Sequence, residues 1–563
     1  MPRAIPAVEF PAVTLPHPQP ISLLPGGIYP QSALGKLWIL LQSKVNSGFK
    51  LQADKTKMLF RYFFACTALL VAATAPHQTA ANDPPSNVAP PNIVVIFIDD
   101  MGYADINPFG ANAYKTPNLN RMAQEGRIFT DFVVSSAVCS ASRSALLTGC
   151  YHTRIGIRGA LGPKSNIGLN PAETTLAELC RSRGYATAAF GKWHLGHHPK
   201  FLPNRHGFDE YYGIPYSNDM WPLHPAALAK RAKDPKAAIP WAALPMLETQ
   251  GEQGYKITNN NIQPADQEQM TKQFTERAVS FIKRNAEKPF FVYLPHPMVH
   301  VPLYASEDFR GKSGAGLFGD VVMEVDWSVG KILNTIEDIG VERNTLVIFT
   351  SDNGPWLSYG THSGRANPLR EGKGTMFEGG YREPTIMWWK GKIPGGTECD
   401  QLCSTIDLVP TIANLIGAKL PTHPIDGKNI LPLMTGEPNA KSPHDAFYCY
   451  YGGGQLQAVR NDRYKLVFPH SYRTLNGHPG GIGGLPVGYK QARTQLSLFD
   501  LDQDVSETTN VIDEHPDVAQ QLMAAAEVAR EDLGDTLRKR KGSGIRPAGK
   551  LTDQDERLPL LWQ

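Results

Sequence analysis

The sequence predicts an α/β protein: a large doubly wound, mostly parallel sheet flanked by helices, with a smaller C-terminal antiparallel sheet subdomain. Three observations predict it. Apolar strand-like runs alternate with helical periodicity from about residue 91 to 420. The runs are continuous rather than alternating, as strands buried on both faces require. Beyond about residue 445 the pattern changes to polar strands, Gly-rich loops (Gly452–Gly454, Gly480–Gly484) and one helix.

In order, Asn92–Ile98 (NIVVIFI) is the first strand. Thr116-Pro117 opens a helix carrying Leu119, Met122 and Ala123. A helix is expected over 171–183, with Pro171 near its start and Gly184 after it, then a short strand over Ala186–Phe190. Thr271–Asn285 is amphipathic, with Phe274, Ala278, Phe281 and Ile282 on one side. Pro289–Leu294, Thr345–Thr350 and Pro384–Trp389 read as strands, and Val321–Ile339 as a long helix. Pro516–Leu533 is the C-terminal helix.

Hydrophobic residues make up 42% of the 563 and charged residues 19%, so the chain is globular. Residues 58–75 (MLFRYFFACTALLVAATA) form a secretory signal pattern. Lys55, Lys57 and Arg61 supply the positive region, Tyr62–Ala73 the apolar stretch, and Ala73-Thr74-Ala75 a small-x-small cleavage site. The stretch is too short for a stable membrane span. Met58 is then the expected initiator, and 1–57 an unassigned extension from a mis-called start. The catalytic domain is expected over 91–440, a C-terminal α+β subdomain over 441–540 and a tail over 541–563. The net charge of +3 comes from the first 75 residues, so the remainder offers no basic footprint for nucleic acid. Seven scattered cysteines do not make a disulfide-dense scaffold; a Cys399–Cys403 pair is possible and left open.

In open α/β sheets, ligands bind beyond the carboxyl ends of the strands. Four strands here end in titratable or oxygen-bearing groups: Asp99-Asp100, Lys192-Trp193-His194, His296 with His300, and Asp352-Asn353-Gly354. Asp99, Asp100, Asp352 and Asn353 make an oxygen-only set suited to a hard cation such as Ca²⁺ or Mg²⁺. Ser142–Leu147 opens a helix with residue 139 at its N-terminus, where free N–H groups and the dipole favour anions.

The segment Cys139-Ser140-Ala141-Ser142-Arg143, ending in Leu147-Thr148-Gly149, resembles the sulfatase signature Cys-x-Pro-Ser-Arg with its Leu-Thr-Gly ending. NIVVIFIDDMGYAD, GKWHLG, TSDNGP, GKGTMFEGGYREP and LFDLDQDVSETTN resemble the further motifs of the arylsulfatase-like, formylglycine-dependent branch of the alkaline-phosphatase-like superfamily, in the same order over 91–533. The resemblance implies a sulfuric ester hydrolase. Cys139 would become formylglycine (3-oxoalanine), hydrate to a gem-diol nucleophile and join the four oxygen ligands at one Ca²⁺, implied ahead of Mg²⁺. Arg143 and Lys192 would hold the diol's charge. His194 would release sulfate and restore the aldehyde; His300, preferred to His296, and Lys373 would serve the leaving group. Ser217 and Asp219 match a substrate-side Ser-x-Asp, and Trp221, His224 and Tyr359–His362 are candidate pocket walls. Ala141 departs from the family's Pro, which bears on the formylglycine-generating maturase.

The implied substrate is a sulfated carbohydrate or other sulfated small molecule such as an aryl sulfate. The implied location is secreted or periplasmic. The rivals are a phosphomonoester or phosphonate hydrolase of the same superfamily and a catalytically inactive carbohydrate-binding relative. One oxygen-only site and the Cys139-x-Ala141-x-Arg143 spacing favour sulfate.

Overall fold

A computed structural model describes residues 90–562. The extension and the signal pattern lie outside the described residues. The sheet has ten strands. At its centre are the parallel strands β1 (Asn92–Ile98), β2 (Ala186–Lys192), β3 (Glu210–Ile214), β4 (Phe290–Pro295) and β5 (Thr345–Ser351), in spatial order β5-β1-β4-β2-β3. The margins turn antiparallel: β6 (Thr385–Trp388) pairs with β5 on one side, and Met246–Gln250 with β3 on the other.

β1 shows why its run is continuous. Ile93, Val95 and Phe97 enter the core on one face, and Val94, Ile96 and Ile98 the core on the other. Full burial of such side chains stabilises by about 1.5–3 kcal/mol each. One face is covered by helices including α1 (Pro117–Glu125), α4 (Pro264–Arg284) and α5 (Gly316–Asp338). The other is covered by α2 (Cys139–Thr148) and α3 (Leu176–Ser182). The doubly wound expectation is met.

Boundaries moved where side-chain chemistry outweighs pattern. The helix expected over 171–183 begins at Leu176, because Thr175 and Glu178 form a reciprocal capping box; Pro171 sits in the preceding turn. α4 begins at Pro264, seven residues before the amphipathic stretch, with Pro at its first position. β2 runs on to Lys192, which carries that side chain to the rim of the sheet.

The C-terminal part holds β7 (Phe447–Tyr451), β8 (Gln455–Arg460), β9 (Tyr464–Val467), β10 (His470–Thr474), β11 (Lys490–Thr494) and β12 (Ser497–Asp500). β7, β8, β9 and β12 form an antiparallel sheet, and β10 pairs with β11. α6 (Pro516–Leu533) packs on β8 and β9. The expectation of polar strands is corrected. Phe447, Cys449, Leu456, Ala458, Leu466 and Leu498 are buried, and so are Arg460 and Lys465. Their charges hid the apolar face. Arg460 pairs with Asp131 and Glu378, and Lys465 with Glu378 and Glu507, joining this sheet to the large one through a buried ion network. The tail returns to the catalytic part, where Gly549–Lys550 pairs with Ile167–Gly168. The six cysteines among the described residues are free thiols. No helix there is long and apolar enough to cross a membrane.

Candidate active site

The parallel strands share one direction, so their carboxyl ends share one rim. β1 delivers Asp99 and Asp100, β5 delivers Asp352 and Asn353, and β2 delivers Lys192 and then His194. α2 enters the rim with Cys139 as its first residue, preceded by extended Val138 and ended by left-handed Gly149. A Cβ at Gly149 would lie 2.9 Å from the Val409 Cβ, so glycine is needed there for space as well as for its positive φ.

Asp99 is the hub. Its carboxylate accepts from Lys192 Nζ, lies 3.4 Å from Arg143 Nη2, and is met by Cys139 Sγ at 3.4 Å. Burial opposes its charge, but Lys192 and Arg143 hold the carboxyl well below the usual range. Arg143 also donates Nε to Asp352 Oδ2 at 2.9 Å and Nη1 to the Lys192 carbonyl at 3.1 Å. Lys373 Nζ donates to Asp100 Oδ1 at 2.6 Å and lies 3.2 Å from Cys139 Sγ. Burial would deprotonate this lysine, yet Asp100 and the other acids keep its pKa well above the ordinary value. Lys192 Nζ reaches Ser217 Oγ at 2.9 Å.

Asp99, Asp100, Cys139 and His300 each place a ligand atom within 4.8 Å of the others, forming a buried Asp/Cys/His cluster able to hold a metal ion. Asp352 and Asn353 border it. Asp352 Oδ1 accepts from the Asp100 amide at 3.2 Å, and Asn353 Nδ2 donates to Asp100 Oδ1 at 2.7 Å. Asp100 Oδ2 and Asn353 Oδ1 are buried acceptors without a hydrogen bond. Orphaned carboxylate and amide oxygens fit a hard cation. Asp100 takes a left-handed φ of 58° to present its side chain, and His194 one of 59°.

The histidines differ. Both ring nitrogens of His194 are buried without partners. Burial, then Lys192 and Arg143, hold its pKa well below the ordinary value, so the ring is a neutral base. His300 Nε2 is 3.4 Å from Asp100 Oδ2, and its Nδ1–H donates to the Val301 carbonyl at 2.6 Å. His296 turns away to Ser328 Oγ on α5 at 2.9 Å. Asp219 is held below its usual pKa: burial resists, but His300 and Lys192 outweigh it.

Trp221 is corrected. It is fully buried and donates Nε1 to the Ile262 carbonyl, so it belongs to the core and not to a pocket wall. Trp356 takes the wall position instead. Its ring meets His300 at 5.6 Å, Tyr359 at 5.0 Å and Lys373 Nζ at 4.9 Å. The sequence analysis missed it; its place directly after Asp352-Asn353-Gly354-Pro355 was the available signal.

The Sulfatase family model matches residues 91–418, and the model for the C-terminal region of aryl-sulfatase matches 442–543. Arylsulfatase A of Bos taurus is 37% identical over 461 residues, covering 78% of this chain and 86% of its own. N-acetylgalactosamine-6-sulfatase of Canis lupus familiaris is 37% identical over 462 residues, covering 78% and 84%. Among solved structures, the PsFucS1 sulfatase from Pseudoalteromonas sp. is similar with a TM-score of 0.68 at 26% identity, covering 78% of this chain and 90% of that one. A phosphonate monoester hydrolase of Agrobacterium radiobacter shares the fold at 18% identity with a TM-score of 0.51. With the family model over more than half of the chain and relatives 37% identical across most of their length, the chain belongs to the sulfatase family as a sulfuric ester hydrolase.

Proposed function

We propose that this enzyme hydrolyses sulfate monoesters of carbohydrates through a formylglycine made from Cys139, with one Ca²⁺ held by Asp99, Asp100, Asp352, Asn353 and the modified residue. The observation that carries this reading is the meeting of Cys139 Sγ with Asp99 at 3.4 Å and Lys373 at 3.2 Å, inside a cluster that can hold a metal. Burial pushes the Cys139 thiol well up, so unmodified Cys139 is a protonated, poor nucleophile. When bound, the cation supplies Lewis acidity toward sulfate oxygens and toward the nucleophilic hydroxyl.

The chain's own residues do the rest. Arg143 and Lys192 hold the hydroxyl's charge on the Asp99 side. The amides opening α2 face the anion. Neutral His194 takes a proton when sulfate is released. His300 Nε2 and Lys373 Nζ stand on the leaving-group side, where one proton and one positive charge offset the departing oxygen. Ser217 and Asp219 contact substrate beside Lys192 and His300. Ala141 occupies the first turn of α2, where an N–H has no helical partner; the folded helix would accept Pro equally. The departure therefore bears on maturation and not on the finished site.

Among the described residues a single His/Cys/Asp/Glu metal cluster is present, which favours sulfate over a two-metal phosphate or phosphonate reaction. Relatives named for N-acetylgalactosamine 6-sulfate support a sugar sulfate as natural substrate. We assign export by residues 58–75, a secreted or periplasmic location, and the division at 440/441 on sequence grounds. The test is the mass of the peptide containing residue 139 together with Cys139→Ala. The reading expects an aldehyde in the wild type. In the folded variant it expects a loss of several powers of ten, about what removal of a covalent nucleophile costs. An active enzyme with a thiol at 139 would overturn it.

A further inference from the structure

Arg473 is a residue of β10, in the C-terminal part and 100 positions from Lys373 in sequence. Its guanidinium nevertheless reaches the backbone of that lysine. Nε donates to the Lys373 carbonyl at 3.0 Å, and Nη2 donates to the same oxygen. The group lies near two aromatic rings, 4.7 Å from the centroid of Tyr489 and 5.9 Å from that of Trp356. Trp356 is the ring that also faces Lys373 Nζ and His300.

The three backbone groups around Lys373 are each tied to a different segment. The Lys373 amide donates to the Pro355 carbonyl at 3.0 Å, and the Gly374 amide to the Ala137 carbonyl at 2.9 Å. Among the described residues, the Lys373 carbonyl has only the guanidinium of Arg473 as donor. Gly374 has a φ of 84°, and a Cβ there would lie 2.3 Å from that guanidinium. A glycine on one side of a peptide makes the plane easy to turn over. An arginine fork on its oxygen opposes the turn.

We propose that Arg473 is a positioning residue for the reaction: it locks the Lys373–Gly374 peptide and thereby aims the Lys373 amine at the leaving-group side of the site. The C-terminal part thus contributes to catalysis through this one arginine. The inference rests on the leaving-group role given to Lys373 above. Without Arg473, this peptide keeps only its Gly374 amide bond to Ala137, and the amine's distance to Asp100 and residue 139 is held less tightly. A misplacement of about 1 Å costs on the order of 10²-fold, and the loss grows with the basicity of the departing oxygen.

The experiment measures kcat and KM for Arg473→Ala, Arg473→Lys and Lys373→Ala, on nitrophenyl sulfate and on N-acetylgalactosamine 6-sulfate. Thermal unfolding of each variant is followed in parallel. The expected result is a kcat loss in Arg473→Ala of roughly 10²-fold on the sugar sulfate and a clearly smaller one on the aryl sulfate. Added guanidinium ion should restore part of the sugar activity in Arg473→Ala and none in Lys373→Ala. Equal losses on both substrates in Arg473→Ala, with Lys373→Ala still discriminating, would overturn the positioning role alone. Equal losses in Lys373→Ala would overturn the leaving-group reading and this inference with it. Should Arg473→Ala not fold, Arg473→Lys carries the same comparison, since it keeps the charge and loses the fork.

Discussion

His300 and His194 are both buried at the rim, yet their surroundings give them opposite work. His300 Nε2 lies beside the Asp100 carboxylate, whereas the His194 ring faces Lys192 and Arg143 and neither of its nitrogens has a hydrogen bond. His300→Ala is expected to lose roughly 10²–10⁴-fold on a sugar sulfate, the usual worth of a general acid, and much less on a nitrophenyl sulfate. His194→Ala is expected to lose activity equally on both, because the role proposed for it lies in the release of sulfate, a step common to every substrate. Two kinetic series across leaving-group pKa check this; equal losses in His300→Ala would transfer the acid role to Lys373. The choice of His300 over His296 was legible in the sequence only through the following Val301-Pro302. In the structure His296 Nε2 is engaged with Ser328 Oγ, whereas His300 Nε2 lies beside Asp100, which supports the proposed assignment. Arg473 was not legible at all, since one arginine in a polar strand carries no motif.

Among elements, those buried on two faces were read best. β1 and β5 announce themselves as unbroken apolar runs, and the carboxylates after them follow from the direction of a parallel strand. β8 and β9 were read as polar because Arg460 and Lys465 interrupt the pattern, although both side chains are buried in ion pairs with Asp131, Glu378 and Glu507. Burial would raise the Glu378 carboxyl, but Arg460, Lys465 and Arg382 hold it well below the usual range. Glu507 is raised by burial and by Glu378 across the shared lysine. A depressed carboxylate contributes stability that is present above its unfolded pKa of about 4.3 and is lost as pH falls through the lower folded value. Arg460→Met should therefore destabilise by up to about 3–5 kcal/mol at neutral pH, because Asp131 and Glu378 lose one buried partner and keep only Arg382 and Lys465. Denaturant unfolding at pH 7 checks the magnitude. The gap between variant and wild type should narrow below pH 4.

For the whole molecule, the site is assembled from segments that meet only in the finished fold. Asp99, Cys139, Lys192, His300, Asp352 and Lys373 come from six separate stretches of chain, and three cationic side chains there face three carboxylates. A divalent cation tips this balance positive, toward an anionic ester. A chelator is expected to abolish turnover, and Ca²⁺ to restore it better than Zn²⁺, since the donors are mainly hard oxygens. Asp352→Ala should lose Ca²⁺ binding in a calorimetric titration while keeping its circular dichroism, because Asp352 lies just beyond β5. Full activity in metal-free protein would refute the site.

The return of Gly549–Lys550 to Ile167–Gly168 has a consequence in time. The strand that this pairing completes is synthesised long before its partner, which lies about 380 residues further along the chain. At about 5–20 residues per second, the nascent chain carries an unfinished catalytic part for tens of seconds. Cys139 is 2% exposed once the fold is complete, so it is most accessible before then. Under the proposed formylglycine route, modification of Cys139 belongs to the interval before the fold closes over this thiol.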